Sequence, residues 1–122
     1  MKNVAIIGGS GFIGSHTAEE LIRHNINVTI IDIDPPRTNN VTWYECDATD
    51  YCELFFALES AKFDAVYMFA AVSDSSVNHK HIRYSVETNI MTLMNTLSLM
   101  NDLRIPRIIF SSSVWVLSLI HI

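Results

Sequence analysis

All four glycines of this 122-residue chain fall within residues 8–14, as Gly8, Gly9, Gly11 and Gly14. Glycine loses more backbone freedom on folding than any other residue, so such a cluster indicates that another group approaches the backbone closely. The spacing satisfies G-x-G-x-x-G, and by itself it could also be a flexible turn. Between a strand and a helix, this spacing is typical of a loop that holds a pyrophosphate through backbone N–H groups at a helix N-terminus.

An acidic residue follows at the distance that a dinucleotide site requires. Residues 27–31 are rich in β-branched side chains and predict a second strand, and Asp32 stands at its end. A carboxylate there accepts hydrogen bonds from the adenosine ribose and repels a 2′-phosphate, which favours NAD over NADP. Arg37 is close enough in sequence to weaken that preference. The alternative is that Asp32 is a solvated turn residue before Pro35 and Pro36.

The elements that would position these residues alternate along the chain. Strands are predicted over residues 3–7, 27–31, 41–46, 63–70 and 107–110, and helices over residues 12–24, 51–60 and 83–103. Thr49 or Asp50 is a candidate N-cap for the second helix. The alternation predicts an α/β fold, a Rossmann-type doubly wound parallel sheet of order 3-2-1-4-5, truncated after the fifth strand. Its ligand should bind at the carboxyl ends of the strands.

Composition excludes several classes of function. The net charge of −5 offers no basic surface for nucleic acid, and no stretch is apolar enough to span a membrane. The chain starts directly with a strand rather than a signal peptide, so we expect a cytoplasmic protein. Neither Cys46 and Cys52 nor the five histidines show metal-ligand spacing. We therefore expect no metal site and two reduced, structural cysteines.

Three segments closely resemble the extended short-chain dehydrogenase/reductases. They are residues 8–16, 69–71 and 110–113, with the sequences GGSGFIGSH, FAA and FSSS. The nearest branch is the NAD-dependent epimerase/dehydratase family, of the UDP-glucose 4-epimerase type. The resemblance covers residues 1 to about 115. It is specific for the family but not for the substrate.

The resemblance implies NAD as cofactor and a set of contacts to it. The implied cofactor-binding residues are Gly8, Gly11, Phe12, Ile13, Gly14, Asp32, Arg37, Asp47, Ala48, Phe69, Ala70, Ala71, Ser73 and Asn89. Phe12 and Ile13 would contact the pyrophosphate through their backbone. Asp47 and Ala48 would lie beside the adenine ring, and residues 69–73 would pass under the nicotinamide ribose.

Two further roles concern the substrate side of the site. Asn89 matches a helix asparagine near the family's active site, and Ser113 matches the serine that hydrogen-bonds the substrate hydroxyl or carbonyl. Ser113 is therefore the one candidate catalytic residue in the chain. Taken singly, Asp47, Asn89 and Ser113 could equally be capping or solvated polar residues; their common register favours the functional interpretation.

The family's Tyr-x-x-x-Lys pair, in which the tyrosine removes a proton and the lysine lowers its pKa, has no match here. None of the four tyrosines has a lysine four residues later. In the family this pair lies beyond the serine, so we expect an N-terminal fragment: residues 1–116 form an incomplete NAD-binding domain, and the substrate domain is absent. Residues 117–122 are one translation of the transposase end sequence used in DNA library preparation. We expect a non-native tail there; the alternative is a natural short form.

Two functions are compatible with these observations. The favoured one is the NAD-binding part of a nucleotide-sugar epimerase or dehydratase, which when intact takes a nucleotide-sugar substrate and forms a homodimer through the long helix. The other is a non-catalytic NAD(P)-binding or redox-sensing module of the same fold. The fragment alone should only bind cofactor. Its fifth strand should be an exposed apolar edge, which lowers solubility.

Overall fold

The computed structural model describes residues 1–70 and 82–111 of the chain. Its elements in chain order are β1 (Asn3–Ile7), α1 (Phe12–Arg23), β2 (Asn27–Asp32), β3 (Thr42–Glu45), α2 (Tyr51–Glu59), β4 (Ala65–Met68), α3 (Ile82–Leu103) and β5 (Ile108–Phe110). The strands form one sheet in the order β3-β2-β1-β4-β5, and every neighbouring pair is parallel. The predicted fold class and strand order are confirmed.

Helices cover both faces of this sheet. Alternate side chains of each strand point to opposite faces, so both faces present apolar side chains to the helices. One apolar cluster joins the sheet to α2 and α3 and includes Ala5, Ile7, Leu54, Leu58 and Leu99. The other joins the sheet to α1 and includes Val4, Ile6, Ala18, Leu21 and Ile30. The central strand β1 therefore contributes to both clusters. This explains why its sequence is a continuous apolar run rather than an alternating one.

The element bounds differ from the predicted ones mainly at strand ends. β4 was predicted from residue 63 but begins at Ala65. The reason is Asp64, whose Oδ2 accepts hydrogen bonds from the backbone N–H groups of Lys2 at 2.7 Å and Asn3 at 3.0 Å. This carboxylate connects the start of β4 to the start of β1. Asp64 therefore belongs to the loop before β4, where its side chain bonds to the backbone at the start of β1, and not to the strand itself.

Helix ends are set by local hydrogen bonds. Asp50 is the N-cap of α2, and its side chain accepts from the backbone N–H of Glu53, so of the two candidate caps the structure has Asp50. α1 ends at Arg23, one residue earlier than predicted, and Asn25 follows with a φ of 60°. Within the described residues, no helix is both long and apolar enough to cross a membrane.

β5 forms one edge of the described sheet. Its Ile109 and Phe110 side chains are 38% and 55% exposed. Unpaired backbone groups and exposed apolar side chains together make such an edge prone to association with other chains.

Candidate functional site

A cavity of about 350 Å³ opens at the carboxyl ends of β1, β2 and β4. It is lined by Ile7, Gly8, Ser10, Gly11, Ile31, Asp32, Ile33, Asp34, Arg37, Cys46, Asp47, Ala48, Thr49, Phe69, Ala70, Tyr84, Thr88 and Thr92. The chain leaves β1 toward β2 on one side, while β4 lies on the other, so the strand order reverses at this place. Open parallel sheets form their ligand crevice at such a reversal.

Two glycines allow the loop between β1 and α1 to pack closely enough to form the cavity floor. Gly8 has a φ of +84°, and a Cβ atom there would lie 2.5 Å from the backbone nitrogen of Ala70. A Cβ atom on Gly14 would lie 2.5 Å from the carbonyl oxygen of Gly8. The glycine loop is therefore pressed against the end of β4 on one side and the first turn of α1 on the other.

The N-terminus of α1 faces this loop without a side-chain cap. Its N-cap residue is Gly11, which has no side chain to accept from the first turn, and that turn contains no acidic residue. The first N–H groups of a helix have no partner within the helix, and the helix dipole makes this end positive. The arrangement can receive an anion such as a pyrophosphate.

Asp32 is held at the mouth of the cavity by two backbone donors. Its Oδ2 accepts from the N–H of Ser10 at 3.0 Å, and its Oδ1 accepts from the N–H of Asp34 at 3.0 Å. An ionised carboxylate has about four acceptor positions, so roughly two stay available, one on each oxygen. Asp32 is therefore fixed in orientation and can still accept from two hydroxyl donors, as a ribose diol would supply.

The turn after β3 forms a third wall, and it is held from two sides. Asp47 Oδ1 accepts from the N–H and the hydroxyl of Thr49 at 3.0 Å and 2.7 Å. The amide of Asn95, buried on α3, donates to the carbonyl oxygens of Ala48 at 3.1 Å and Thr49 at 3.0 Å. Because the carbonyl oxygens of Ala48 and Thr49 are bonded to α3 and Thr49 is bonded to Asp47, the exposed Asp47 carboxylate has a fixed position at the rim.

Cys46 belongs to the same wall but is not set up as a nucleophile. Burial, followed by the negative charges of Glu53, Asp47 and Asp50, raises the pKa of its thiol from 9.0 to about 12. The thiol therefore stays protonated at neutral pH and acts as a small apolar wall residue. Among the described residues, no group of three or more histidine, cysteine or acidic side chains could hold a metal ion.

The structure brings most of the predicted cofactor residues together. Those lining the cavity are Gly8, Gly11, Asp32, Arg37, Asp47, Ala48, Phe69 and Ala70. Gly14 is buried behind the loop, where it allows the packing just described. Phe12 and Ile13 point elsewhere: their side chains are 70% and 59% exposed and line a shallow groove beside α1. Their predicted contacts through the backbone stay a prediction.

Of the remaining predicted residues, only Asn89 is described, and it is not part of the cavity lining. Asn89 is half-buried on α3, and the lining from that helix comes from Tyr84, Thr88 and Thr92. Ala71 and Ser73, like the candidate catalytic Ser113, fall outside the described residues. Their roles stay predictions.

Two residues that shape the site were not singled out from the sequence. Ser10 occupies a variable position of the glycine motif, so the spacing alone assigns it no role. Asn95 is 8% exposed and lies on the buried face of α3 together with Thr92 and Thr96. The apolar side chains at Ile90, Met94 and Leu97 are exposed instead, so the hydrophobic pattern of the helix gave no sign that Asn95 is buried.

Comparisons with known proteins agree with this geometry. A family model described as "NAD dependent epimerase/dehydratase family" matches residues 4–118. The UDP-glucose 4-epimerase of Lactobacillus helveticus is 33% identical over 121 residues, covering 90% of this chain but 35% of the relative. The chain therefore spans about a third of the length of this curated relative.

Two solved structures share the fold. The UDP-glucose 4-epimerase of Stenotrophomonas maltophila, solved with bound NAD and formylated UDP-arabinopyranose, is 25% identical with a TM-score of 0.84; the match covers 93% of this chain and 37% of that one. A GalE-like L-threonine dehydrogenase from Cupriavidus necator, in its holo form, is 29% identical with a TM-score of 0.83, covering 92% of this chain and 38% of that one. Similarity over this region thus extends to enzymes with unrelated substrates.

Proposed function

This chain belongs to the NAD dependent epimerase/dehydratase family, and we propose that it is the NAD-binding part of a nucleotide-sugar epimerase or dehydratase. The observation that carries the proposal is the juxtaposition of the glycine loop with the Asp32 carboxylate, which is oriented by two backbone N–H groups at the mouth of one cavity. The Lactobacillus helveticus relative supports the sugar-nucleotide branch. The holo L-threonine dehydrogenase shows why the substrate needs its own test.

Each part of the cavity has chemistry suited to one part of NAD. The uncapped N-terminus of α1 would hold the pyrophosphate, with the backbone of Phe12 and Ile13 at the helix start. The ribose hydroxyls of the adenosine half would donate to the free acceptor positions of Asp32. The adenine ring would lie against Ala48, with the Asp47 carboxylate accepting from its amino group.

The other end of the cavity would receive the nicotinamide half. Phe69 and Ala70 line it there, and Gly8, which has no Cβ, packs directly against the backbone of Ala70. We assign Ala71 and Ser73 to the same turn by their sequence register. When bound, NAD would supply a hydride acceptor, and the protein would orient it.

The same geometry favours NAD over NADP. A 2′-phosphate would be placed at the Asp32 carboxylate, and two negative charges at about 4 Å repel each other by roughly 4 kcal/mol at an effective dielectric constant of 20. Arg37 lines the same cavity and is exposed, so it reduces this penalty without removing it.

We further propose that the chain by itself binds NAD without turning over a substrate. Ser113 is the proposed substrate-binding serine, and none of the four tyrosines is followed by a lysine at the spacing that the family's proton transfer uses. In the intact protein the substrate would be a nucleotide sugar, with Asn89 near it. Turnover of a UDP-sugar by the 122-residue chain would contradict this part.

A homodimer of the intact protein and a cytoplasmic location complete the proposal. α3 carries an exposed apolar stripe, formed by Ile90, Met91, Met94 and Leu97 with exposed fractions of 41% to 58%. A stripe of this kind on a long helix is suited to packing against another helix. Cys46 and Cys52 are both free, which agrees with a reducing compartment.

The binding part is tested by titrating the 122-residue chain with NAD and with NADP by calorimetry. Asp32→Asn should weaken NAD binding by about 10- to 100-fold, since hydrogen bonds to a charged group contribute about 1.5–3 kcal/mol. The matched control is Glu45→Gln: Glu45 pairs with Asp32 in the strand register and loses the same charge, but it is not part of the cavity lining. Equal losses in both variants, or no binding by the unsubstituted chain, would contradict the proposal.

The enzymatic part is tested by the source DNA. We expect the reading frame to continue beyond residue 116 to a tyrosine and a lysine four residues apart. A continuous native frame without that pair would instead support the NAD(P)-binding or redox-sensing module, whose function requires no proton transfer.

A further inference from the structure

We propose that the side-chain hydroxyl of Ser10 is a positioning group that sets the preference for NAD over NADP, because it ties the glycine loop to the turn that orients Asp32. This inference rests on the proposed function, NAD binding in the cavity. It goes beyond that function by assigning cofactor selectivity to a residue of the cavity lining that acts through the orientation of Asp32. Ser10 stands at a position where the glycine motif specifies no side chain.

Two hydrogen bonds connect Ser10 to the turn after β2, and a third lies within that turn. The Ser10 hydroxyl donates to the carbonyl oxygen of Asp34 at 2.7 Å, and the Ser10 N–H donates to Asp32 Oδ2 at 3.0 Å. The third bond runs from the N–H of Asp34 to Asp32 Oδ1 at 3.0 Å. Both carboxylate oxygens are thus held by residues that the hydroxyl bond joins to each other.

The hydroxyl bond is shielded from water. Ser10 is 6% exposed, so water competes poorly for its donor. Asp34, by contrast, lies in an exposed segment, residues 33–35, which precedes Arg37. The Ser10 hydroxyl therefore gives this exposed turn a water-shielded bond to the glycine loop, in addition to the bond between the Ser10 N–H and Asp32.

Loss of this bond should affect the two cofactors differently. Without it the Asp34 carbonyl is no longer tied to the glycine loop, so the local bond from the Asp34 N–H restrains Asp32 Oδ1 less firmly. A less restrained carboxylate binds the ribose diol of NAD less well, because orientation must then be established on binding. The same freedom lets the carboxylate move away from a 2′-phosphate and lets Arg37 approach it, which relieves the repulsion that excludes NADP.

The chain offers a matched control for a merely structural effect. The hydroxyl of Thr38, 8% exposed, donates to the carbonyl oxygen of Ser15 at 3.2 Å. It also ties the segment after β2 to the region of the glycine loop, but it makes no bond to Asp32 or Asp34. Thr38→Val removes this hydroxyl and keeps the shape of the side chain.

The experiment measures dissociation constants for NAD and NADP with the unsubstituted chain, Ser10→Ala and Thr38→Val, together with their thermal unfolding. For Ser10→Ala we expect NAD binding weakened by about 3- to 10-fold, the effect of one hydrogen bond, and NADP binding unchanged or tighter. The ratio of the NADP dissociation constant to the NAD dissociation constant should therefore fall. For Thr38→Val we expect a lowered unfolding temperature and an unchanged ratio.

The outcomes separate this inference from the function on which it rests. If the unsubstituted chain binds NAD and Ser10→Ala leaves the ratio of the NADP to the NAD dissociation constant unchanged, the inference is overturned and the proposed function stands. A ratio that falls equally in Thr38→Val would also overturn it, because the effect would then be general loosening. Absence of NAD binding in the unsubstituted chain would instead contradict the proposed function.

Discussion

Two aspartates accept the same kind of hydrogen bond but have different roles. Asp64 lies where the parallel strands begin (the amino edge), and Asp32 lies where they end (the carboxyl edge). Asp64, at the amino edge before β4, accepts two backbone N–H bonds, from Lys2 and Asn3, on its single oxygen Oδ2. Asp32, at the carboxyl edge after β2, also accepts two backbone N–H bonds, but one on each oxygen. Asp64 connects two strand starts. Asp32 lies beside a glycine loop that leaves a cavity next to it.

The difference shows that a hydrogen-bonded carboxylate is not by itself a binding site. Backbone donors fix the orientation of both groups, and in both cases the fixed group stabilises the chain locally. What distinguishes Asp32 is its surroundings: a glycine loop with an uncapped helix N-terminus on one side, and a turn with its own carboxylate on the other. Substitutions at the Asp32 side and at the Asp64 side should therefore have separable effects on NAD binding and on stability.

The largest effect is expected from Gly14→Ala, which overpacks the contact between the first turn of α1 and the glycine loop. The new Cβ would lie 2.5 Å from the carbonyl oxygen of Gly8 and 2.6 Å from the Cα of Gly9, so the loop must move. Overpacking of this kind costs about 1–3 kcal/mol of unfolding free energy, and the displaced loop should no longer bind NAD. Urea unfolding and NAD titration measure the two effects.

Gly11→Ala is the matched control for that change. The same added Cβ would meet the Gly8 carbonyl oxygen at 3.6 Å, an ordinary contact distance. Its unfolding free energy should stay closer to that of the unsubstituted chain. If the two alanine variants were equally destabilised, close packing of the loop would not be the reason for glycine at residue 14.

A smaller effect, on stability alone, is expected from Asp64→Asn. The backbone N–H groups of Asn3 and Lys2 hold the pKa of Asp64 below its usual value of 3.8. A depressed carboxyl pKa in the folded state contributes stability above the pKa of the unfolded state, and that stability is lost as the pH falls through the folded value. Asp64→Asn should therefore be less stable than the unsubstituted chain at pH 7.

The pH dependence and cofactor binding provide the checks for Asp64. The stability difference should begin to shrink as the pH falls below about 4, where the aspartate of the unfolded chain becomes protonated, and should vanish below the lower pKa of the folded state. NAD affinity at pH 7 should not change, in contrast to Asp32→Asn. Weakened NAD binding by Asp64→Asn would show that the two edges are not separable in the way the structure indicates.

The smallest effect concerns the two cysteines, which should differ in their reactivity toward an alkylating reagent. Cys46 is buried beside the cavity with a thiol pKa of about 12, and Cys52 is exposed on α2. At pH 8 the Cys46 thiol therefore stays protonated, and alkylation requires the thiolate. Iodoacetamide followed by peptide mass spectrometry should find Cys52 modified and Cys46 intact. Faster labelling of Cys46 would mean that the wall of the cavity opens.

The features that could be predicted from the sequence are those with a local signature. The apolar run of β1, the glycine spacing and the acid at the end of β2 give the sheet order and bring Asp32 to the cavity, because strand polarity and crossover handedness leave few alternatives. Asp47 and Ala48 were assigned through a family resemblance, and the structure places both in the cavity lining.

The connections between distant residues could not be predicted in the same way. The amide of Asn95 reaches the turn after β3 across 46 and 47 residues of sequence, and the hydroxyl of Ser10 reaches Asp34 across 24. No spacing within one element specifies such bonds, since they depend on how the loops pack. Asp64 is a further case: its predicted strand was too long because the sequence pattern contains no sign of its bonds to Lys2 and Asn3.

The most direct test of the account is an amide-resolved NMR titration of the 122-residue chain with NAD. The two donors to Asp32, the N–H groups of Ser10 and Asp34, should show large shifts that saturate with NAD. The two donors to Asp64, the N–H groups of Lys2 and Asn3, should not respond. Equal responses at both edges, or saturable binding that leaves Ser10 and Asp34 unchanged, would contradict the claim that the Asp32 edge is the cofactor site.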